Sequence, residues 1–160
     1  MKFIITAPFQ EISKIHPTPH SGMDLAMPEG TTLRSVAEGK IDQVFDYGSR
    51  NAGRGVIIDA GHNKFIIYGH MSQVTVHPGQ SIHHGDTIGF SGNTGHSTGP
   101  HLHFGVREGM HWVDPTAFND DLQNITGGTY VAGTDTEYPG LIHILAGAIH
   151  DHLINSLGGM

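Results

Sequence analysis

Two histidines flank a single leucine in His101-Leu102-His103, directly after a Gly-Pro step. In a β-strand, side chains two residues apart point the same way, so this pair would share one face while Leu102 points into the opposite layer. Imidazole nitrogens suit zinc, and a catalytic zinc takes three protein ligands and keeps one position open. Two histidines on one strand cannot complete that set. The best further donor stretch is "HPTPHSGMDLAMP", which sets His20 and Asp24 four residues apart in a segment too rich in Pro and Gly for a helix. A loop running into a short strand could aim both at one point. His70, in "YGHMS", ends the apolar run "FIIY" and would sit at the rim of a sheet.

Each fragment also has a plainer reading. The chain holds 14 histidines in 160 residues, so a pair two apart also arises by chance. A loop histidine can sit beside a turn-forming Asp without binding anything. His16, His62, His77, His83, His84, His96 and His111 read as solvated residues of turns and strand ends. Ser91, in "GFSGN", lacks the spacing of a nucleophile elbow, and no acid–base partner is implied.

The elements that would position these groups are short strands between glycines. A length of 160 residues suits one ordinary domain with a real core. Twenty-three glycines and 14% charged residues suit a turn-rich β protein better than a helical bundle. Strands are expected over Ser35 to Ala37, Lys40 to Phe45, Val56 to Ala60 and Lys64 to Tyr68. Two or three more fall within "QVTVHPGQSIHHGDTIGFSG", and another within "HLHFGVRE". Pro78-Gly79 reads as a turn, and Gly61-His62-Asn63 as a tight hairpin connection. Many short strands with frequent turns predict an antiparallel sheet folded on itself. "EGTTLRSVAEGKI" and "PGQSIHHGDTIG" share a faint internal echo.

The flanks differ. Residues 1–19 carry Pro8, Pro17 and Pro19 and read as an extended lead-in to the domain that ends at residue 119. Residues 120–139 are polar and glycine-rich and read as a linker. From 140 to 158, apolar residues at Leu141, Ile142, Leu145, Ile149, Leu153 and Leu157 predict an amphipathic helix. Its stripe, within residues 141–157, either packs on the domain's own sheet or docks on another copy or another chain.

Composition also excludes. The formal net charge of −7 argues against a nucleic-acid partner. The absence of cysteine rules out disulfides and thiolate chemistry. No apolar run approaches the roughly 18 residues of a membrane span. The apolar run in "MKFIITAPFQ" is too short for a signal peptide, so delivery by another route, or membership of a longer chain, is expected.

Taken together, "HSGMD", "YGHMS" and "SGNTGHSTGPHLHFGV", in that order, resemble the lysostaphin/LytM-type zinc endopeptidases. The resemblance covers Pro17 to Phe118 and accounts for the internal echo as paired β-elements. It implies an antiparallel, sandwich-like β fold with a groove. It also implies one zinc per chain held by His20, Asp24 and His103, with His70 and His101 as the catalytic pair beside it. No position of that set is missing. The activity implied is hydrolysis of peptide bonds in the stem or cross-bridge of bacterial peptidoglycan, hence action on the cell wall, extracellular or virion-associated. An endolysin or phage tail-associated lysin would reach that substrate without a signal peptide and would be antibacterial. The alternative is a non-catalytic module of the same fold that binds peptidoglycan or a partner. The groove walls are expected at Phe45 to Arg54 and Gly105 to Asp114, with Tyr47, Arg50 and Trp112 as candidate contacts.

Overall fold

The computed structural model describes residues 2–127. The amphipathic segment 140–158 and its docking stripe lie outside the described residues. Among the described residues eleven strands form, all paired antiparallel: β1 (Ile4–Ala7), β2 (Met23–Ala26), β3 (Thr32–Arg34), β4 (Gly39–Asp46), β5 (Arg54–Asp59), β6 (Lys64–Gly69), β7 (Met71–Val74), β8 (Ser81–Ile82), β9 (Thr87–Ser91), β10 (His101–Glu108) and β11 (His111–Val113). The large sheet runs β1-β2-β10-β6-β5-β4-β8, with β11 also on β10, and a three-stranded sheet runs β3-β9-β7. Between them lies one apolar core. Met23, Leu25, Val56, Ile58, Ile66, Tyr68, Leu102 and Phe104 enter it from the large sheet, and Leu33, Met71 and Ile88 from the small one.

Period-two alternation decides what β2 and β10 present. Met23 and Leu25 go down into the core with Leu102 and Phe104, so Asp24, His101 and His103 stand on the other face. The sheet is therefore apolar below and chemically armed above at its centre. The antiparallel sheet folded on itself that the glycine-punctuated runs predict, and the sandwich-like fold that the resemblance implies, are the architecture observed.

Local differences have local causes. Ser35 to Ala37, expected as a strand, is a turn. The Ser35 hydroxyl donates to the Ala37 carbonyl (2.6 Å) and accepts from the Ala37 N–H (3.2 Å), so the strand lies just before it as β3. The hairpin between β5 and β6 turns through Gly61, His62 and Asn63, all at positive φ (79°, 51° and 61°).

The lead-in is not merely extended chain. Ile4 to Ala7 add an edge strand to β2, with Ala7 paired to Asp24. The linker assignment must likewise be corrected at its start. Asn119–Ile125 form helix α1, with Leu122 and Ile125 buried in the core. Two apolar residues three apart supply one stripe of a short helix, which polar composition had masked. Buried Asp121 accepts from His84 Nε2 at 2.9 Å on both oxygens, and Gln123 exchanges two hydrogen bonds with the Phe3 backbone. The folded unit thus extends past residue 119. Among the described residues, no helix is long and apolar enough to cross a membrane.

Candidate metal centre and active site

Strand register builds the site. His103 on β10 lies opposite Asp24 on β2 and, across its other edge, opposite Gly69 on β6. Directly opposed side chains stand about 4.5–5.5 Å apart at Cβ, close enough for imidazole and carboxylate to meet. Gly69 leaves the room: a Cβ there would stand 2.9 Å from Ala52 Cβ and 3.4 Å from His103 Cβ. His101 pairs with Ala26, and His70 follows directly after Gly69.

Three donors converge. Asp24 Oδ1 lies 3.2 Å from His20 Nε2 and 3.0 Å from His103 Nδ1, and those two nitrogens are 3.1 Å apart. Tetrahedral zinc with bonds of about 2.0–2.1 Å separates its donors by about 3.3 Å. The triangle fits such an ion within a few tenths of an ångström. His20 Nδ1 donates to the Pro8 carbonyl (3.1 Å), because a carbonyl can only accept; its Nε2 is thereby turned to the other two donors. All three side chains are buried. Burial disfavours charge on Asp24, but hydrogen bonds with His103 and His20 outweigh it and hold the carboxyl well below the usual range. Burial also opposes a proton on His20. The Asp24 carboxylate outweighs it, so in the metal-free chain His20 is raised above its ordinary value.

The other two imidazoles share a tautomer. His70 Nδ1 donates to the Thr94 carbonyl at 2.6 Å, and His101 Nδ1 to the Gly99 carbonyl at 2.7 Å, with Ser97 Oγ 3.0 Å away. Both rings therefore keep Nε2 as the working nitrogen. His101 Nε2 stands 3.5 Å from Asp24 Oδ2, and the His70 and His101 rings are 4.4 Å apart. Burial, the largest influence, pulls the His70 pKa down to about 4, so its ring is neutral at pH 7. His70 also holds a left-handed backbone (φ 59°), fixed by its N–H donating to Ala52 O at 2.7 Å.

The five residues singled out by sequence are thus brought together, from β2, β10, the loop before β2 and the β6–β7 junction. Sequence reasoning passed over His16. It stacks on His20 at 4.1 Å, and its Nε2 is 3.6 Å from Asp24 Oδ2. Burial, helped by His20, lowers its pKa. The available signal was the run His16, His20, Asp24 at equal spacings of four. Trp112 stands with His16 and His20 along a cleft beside the centre. Tyr47 is half exposed and stacks on Phe45 instead (5.0 Å).

Residues 18–115 match the model of peptidase family M23. The chain belongs to peptidase family M23. Among relatives of this M23 domain, peptidoglycan DD-endopeptidase ShyA of Vibrio cholerae is 40% identical over 96 residues, covering 57% of this chain and 22% of that protein. The crystallised catalytic domain of EnpA, a prophage-encoded M23 protein of Enterococcus faecalis, superposes with a TM-score of 0.65 at 31% identity, covering 71% of this chain and 89% of that one. A zinc-containing peptidase from Vibrio cholerae gives 0.64 at 32% identity, covering 70% and 36%. The chain spans about a quarter of the length of the curated relatives it matches.

Proposed function

We infer that this M23 domain is a zinc endopeptidase that cuts peptide bonds of bacterial peptidoglycan, in the stem or the cross-bridge. The observation that carries this reading is the donor triangle of His20, Asp24 and His103, with two further imidazoles aimed at it by backbone carbonyls. The likeness to ShyA, a peptidoglycan DD-endopeptidase, supports the substrate class. One zinc per chain fits the triangle, and supplies Lewis acidity that polarises a scissile carbonyl and makes water acidic near neutral pH.

The chain's own residues do the rest. Asp24, His20 and His103 hold the metal, with Pro8 orienting His20. Nε2 of His70 or His101 takes the proton of the attacking water as oxygen bonds to the carbonyl carbon. The imidazolium so formed hydrogen-bonds the oxyanion beside its neutral partner and gives its proton to the leaving amine as the C–N bond breaks. Two imidazolium ions this close would repel, so the pair works with one proton between them.

Digesting purified peptidoglycan of two cross-link types and sequencing the new termini tests the activity and identifies the bond. Chelation should abolish cleavage and zinc restore it. Peptidoglycan binding without new termini would make the domain a non-catalytic module. Delivery as part of a phage-borne lysin is the reading favoured by the likeness to EnpA, a prophage-encoded M23 protein. Docking through residues 141–157 is the matching reading of the tail, checked by light scattering on a chain lacking residues 136–160.

A further inference from the structure

We propose that Ser97 is a positioning residue, whose hydroxyl fixes the turn that aims Nε2 of His101 at the metal centre. This rests on the reading of His101 as half of the working imidazole pair.

The two imidazoles of that pair are held in different ways. His70 is buried, sits on a backbone tied to Ala52 O, and donates from Nδ1 to the Thr94 carbonyl. His101 is only partly buried. It is the first residue of β10, directly after Gly99-Pro100, and lines a cleft together with Ser97, Thr98 and Gly99. A Cβ on Gly99 would meet no atom within 4 Å, so packing at that residue does not set the shape of the turn.

Hydrogen bonds set it instead. Ser97 Oγ donates to the Gly99 carbonyl at 2.8 Å, the short-range closure that a serine makes in turns. The same carbonyl accepts from His101 Nδ1 at 2.7 Å. Ser97 Oγ lies 3.0 Å from that nitrogen, with a lone pair to share its proton. Nδ1 therefore faces two acceptors that are themselves joined. A carbonyl can only accept, so the ring proton sits on Nδ1 and Nε2 is left bare. Nε2 is thereby turned towards Asp24, 3.5 Å from Oδ2. Two oxygens at Nδ1 also favour the imidazolium that forms once Nε2 takes a proton.

The hydrogen bonds of Ser97 go to Gly99 and His101, and not to His20, Asp24 or His103. Its effect on the centre therefore runs through His101. Without the hydroxyl, the Gly99 carbonyl loses the donor that holds it in place. The ring can then turn about its side-chain bonds, or carry its proton on Nε2. Either change takes the bare nitrogen away from the centre.

The test compares full-length wild type, Ser97→Ala and Ser97→Thr, with Ser97→Ala also made in a His101→Ala background. Zinc content, peptidoglycan turnover and the ring-nitrogen NMR spectrum of the zinc-loaded protein are measured. The His101 signals are those missing from His101→Ala. Ser97→Ala should keep its zinc and lose about tenfold in turnover, the worth of one hydrogen bond to a charged ring. His101 should show a protonated Nδ1 and a bare Nε2 in wild type, and a mixture of tautomers in Ser97→Ala. Ser97→Thr keeps the hydroxyl and should restore most of the turnover and the single tautomer. In the His101→Ala background, Ser97→Ala should cost almost nothing more, because a residue that acts through His101 then has nothing to act on. An equal loss in both backgrounds would overturn the proposal. So would wild-type turnover in Ser97→Ala, or a Ser97→Thr variant as poor as Ser97→Ala. If wild type leaves peptidoglycan uncut, the functional reading fails and the NMR spectrum decides alone: an unchanged His101 tautomer in Ser97→Ala would then overturn the positioning role.

Discussion

His70 Nδ1 lies 2.6 Å from the carbonyl oxygen of Thr94, and that contact decides which nitrogen of the ring can work. The Thr94 hydroxyl in turn donates to Met71 O (2.8 Å) and accepts from the Arg54 N–H (3.1 Å), so the carbonyl is itself held in place. His70→Ala and His101→Ala should each keep the metal and lose about 100-fold or more in turnover. Elemental analysis beside a peptidoglycan digestion assay checks this. Loss of zinc from either variant would move that residue into the metal shell.

His20→Ala, Asp24→Ala and His103→Ala should each lose metal and activity together. Asp24→Ala should be the most severe, because it removes the carboxylate that both imidazoles approach at 3.0 to 3.2 Å. Zinc retained at full stoichiometry in His103→Ala, with zinc lost from His101→Ala, would reverse the face assignment on β10. Affinity should also fall as pH drops below about 6.5, since ligation needs neutral imidazoles.

Stability should fall in acid through His70. An unfolded chain protonates this histidine near its ordinary 6.5, while burial in the folded state delays protonation to about 4. Between those values the unfolded state binds more protons, so the folded state loses ground as pH drops through the window and changes no further below it. The loss is at most about 3 kcal/mol. In metal-free protein, thermal unfolding at several pH values should show this decline in wild type. His70→Gln should lack that part of it; equal pH dependence in both proteins would count against the burial effect.

Gly53 and Gly95 pack backbone to backbone, both at positive φ (59° and 79°). A Cβ on Gly53 would stand 2.4 Å from Gly95 N and 2.5 Å from the carbonyl carbon of Thr94. Gly53→Ala should therefore cost about 1–3 kcal/mol of stability. By displacing the loop that carries Thr94, it should also lower turnover beyond what the stability loss explains. Urea unfolding and kinetics at a temperature where the variant is fully folded separate the two effects.

Much of this molecule was legible in its residues. The alternation in "HLHFGV" settled which side chains of β10 face the core, because a strand has only two faces. Glycine and proline marked most of the strand ends, because few other residues adopt those turns. The segments "HSGMD", "YGHMS" and "HLH" identified five residues by type and order. Sequence could not show that His103 pairs with Asp24 across one edge and Gly69 across the other. Register depends on contacts between residues far apart in the chain. The tautomers of His20, His70 and His101 were hidden for the same reason: each is set by a backbone carbonyl, from Pro8, Thr94 and Gly99, whose identity as a residue says nothing about where its oxygen points. His16 looked like any solvated histidine until the fold laid it against His20 and Asp24. Helix α1 looked like linker because its two apolar residues matter only once the core exists to receive them. Local pattern determined the elements and the inventory of chemical groups. Only tertiary packing decided which groups meet, and through which atoms.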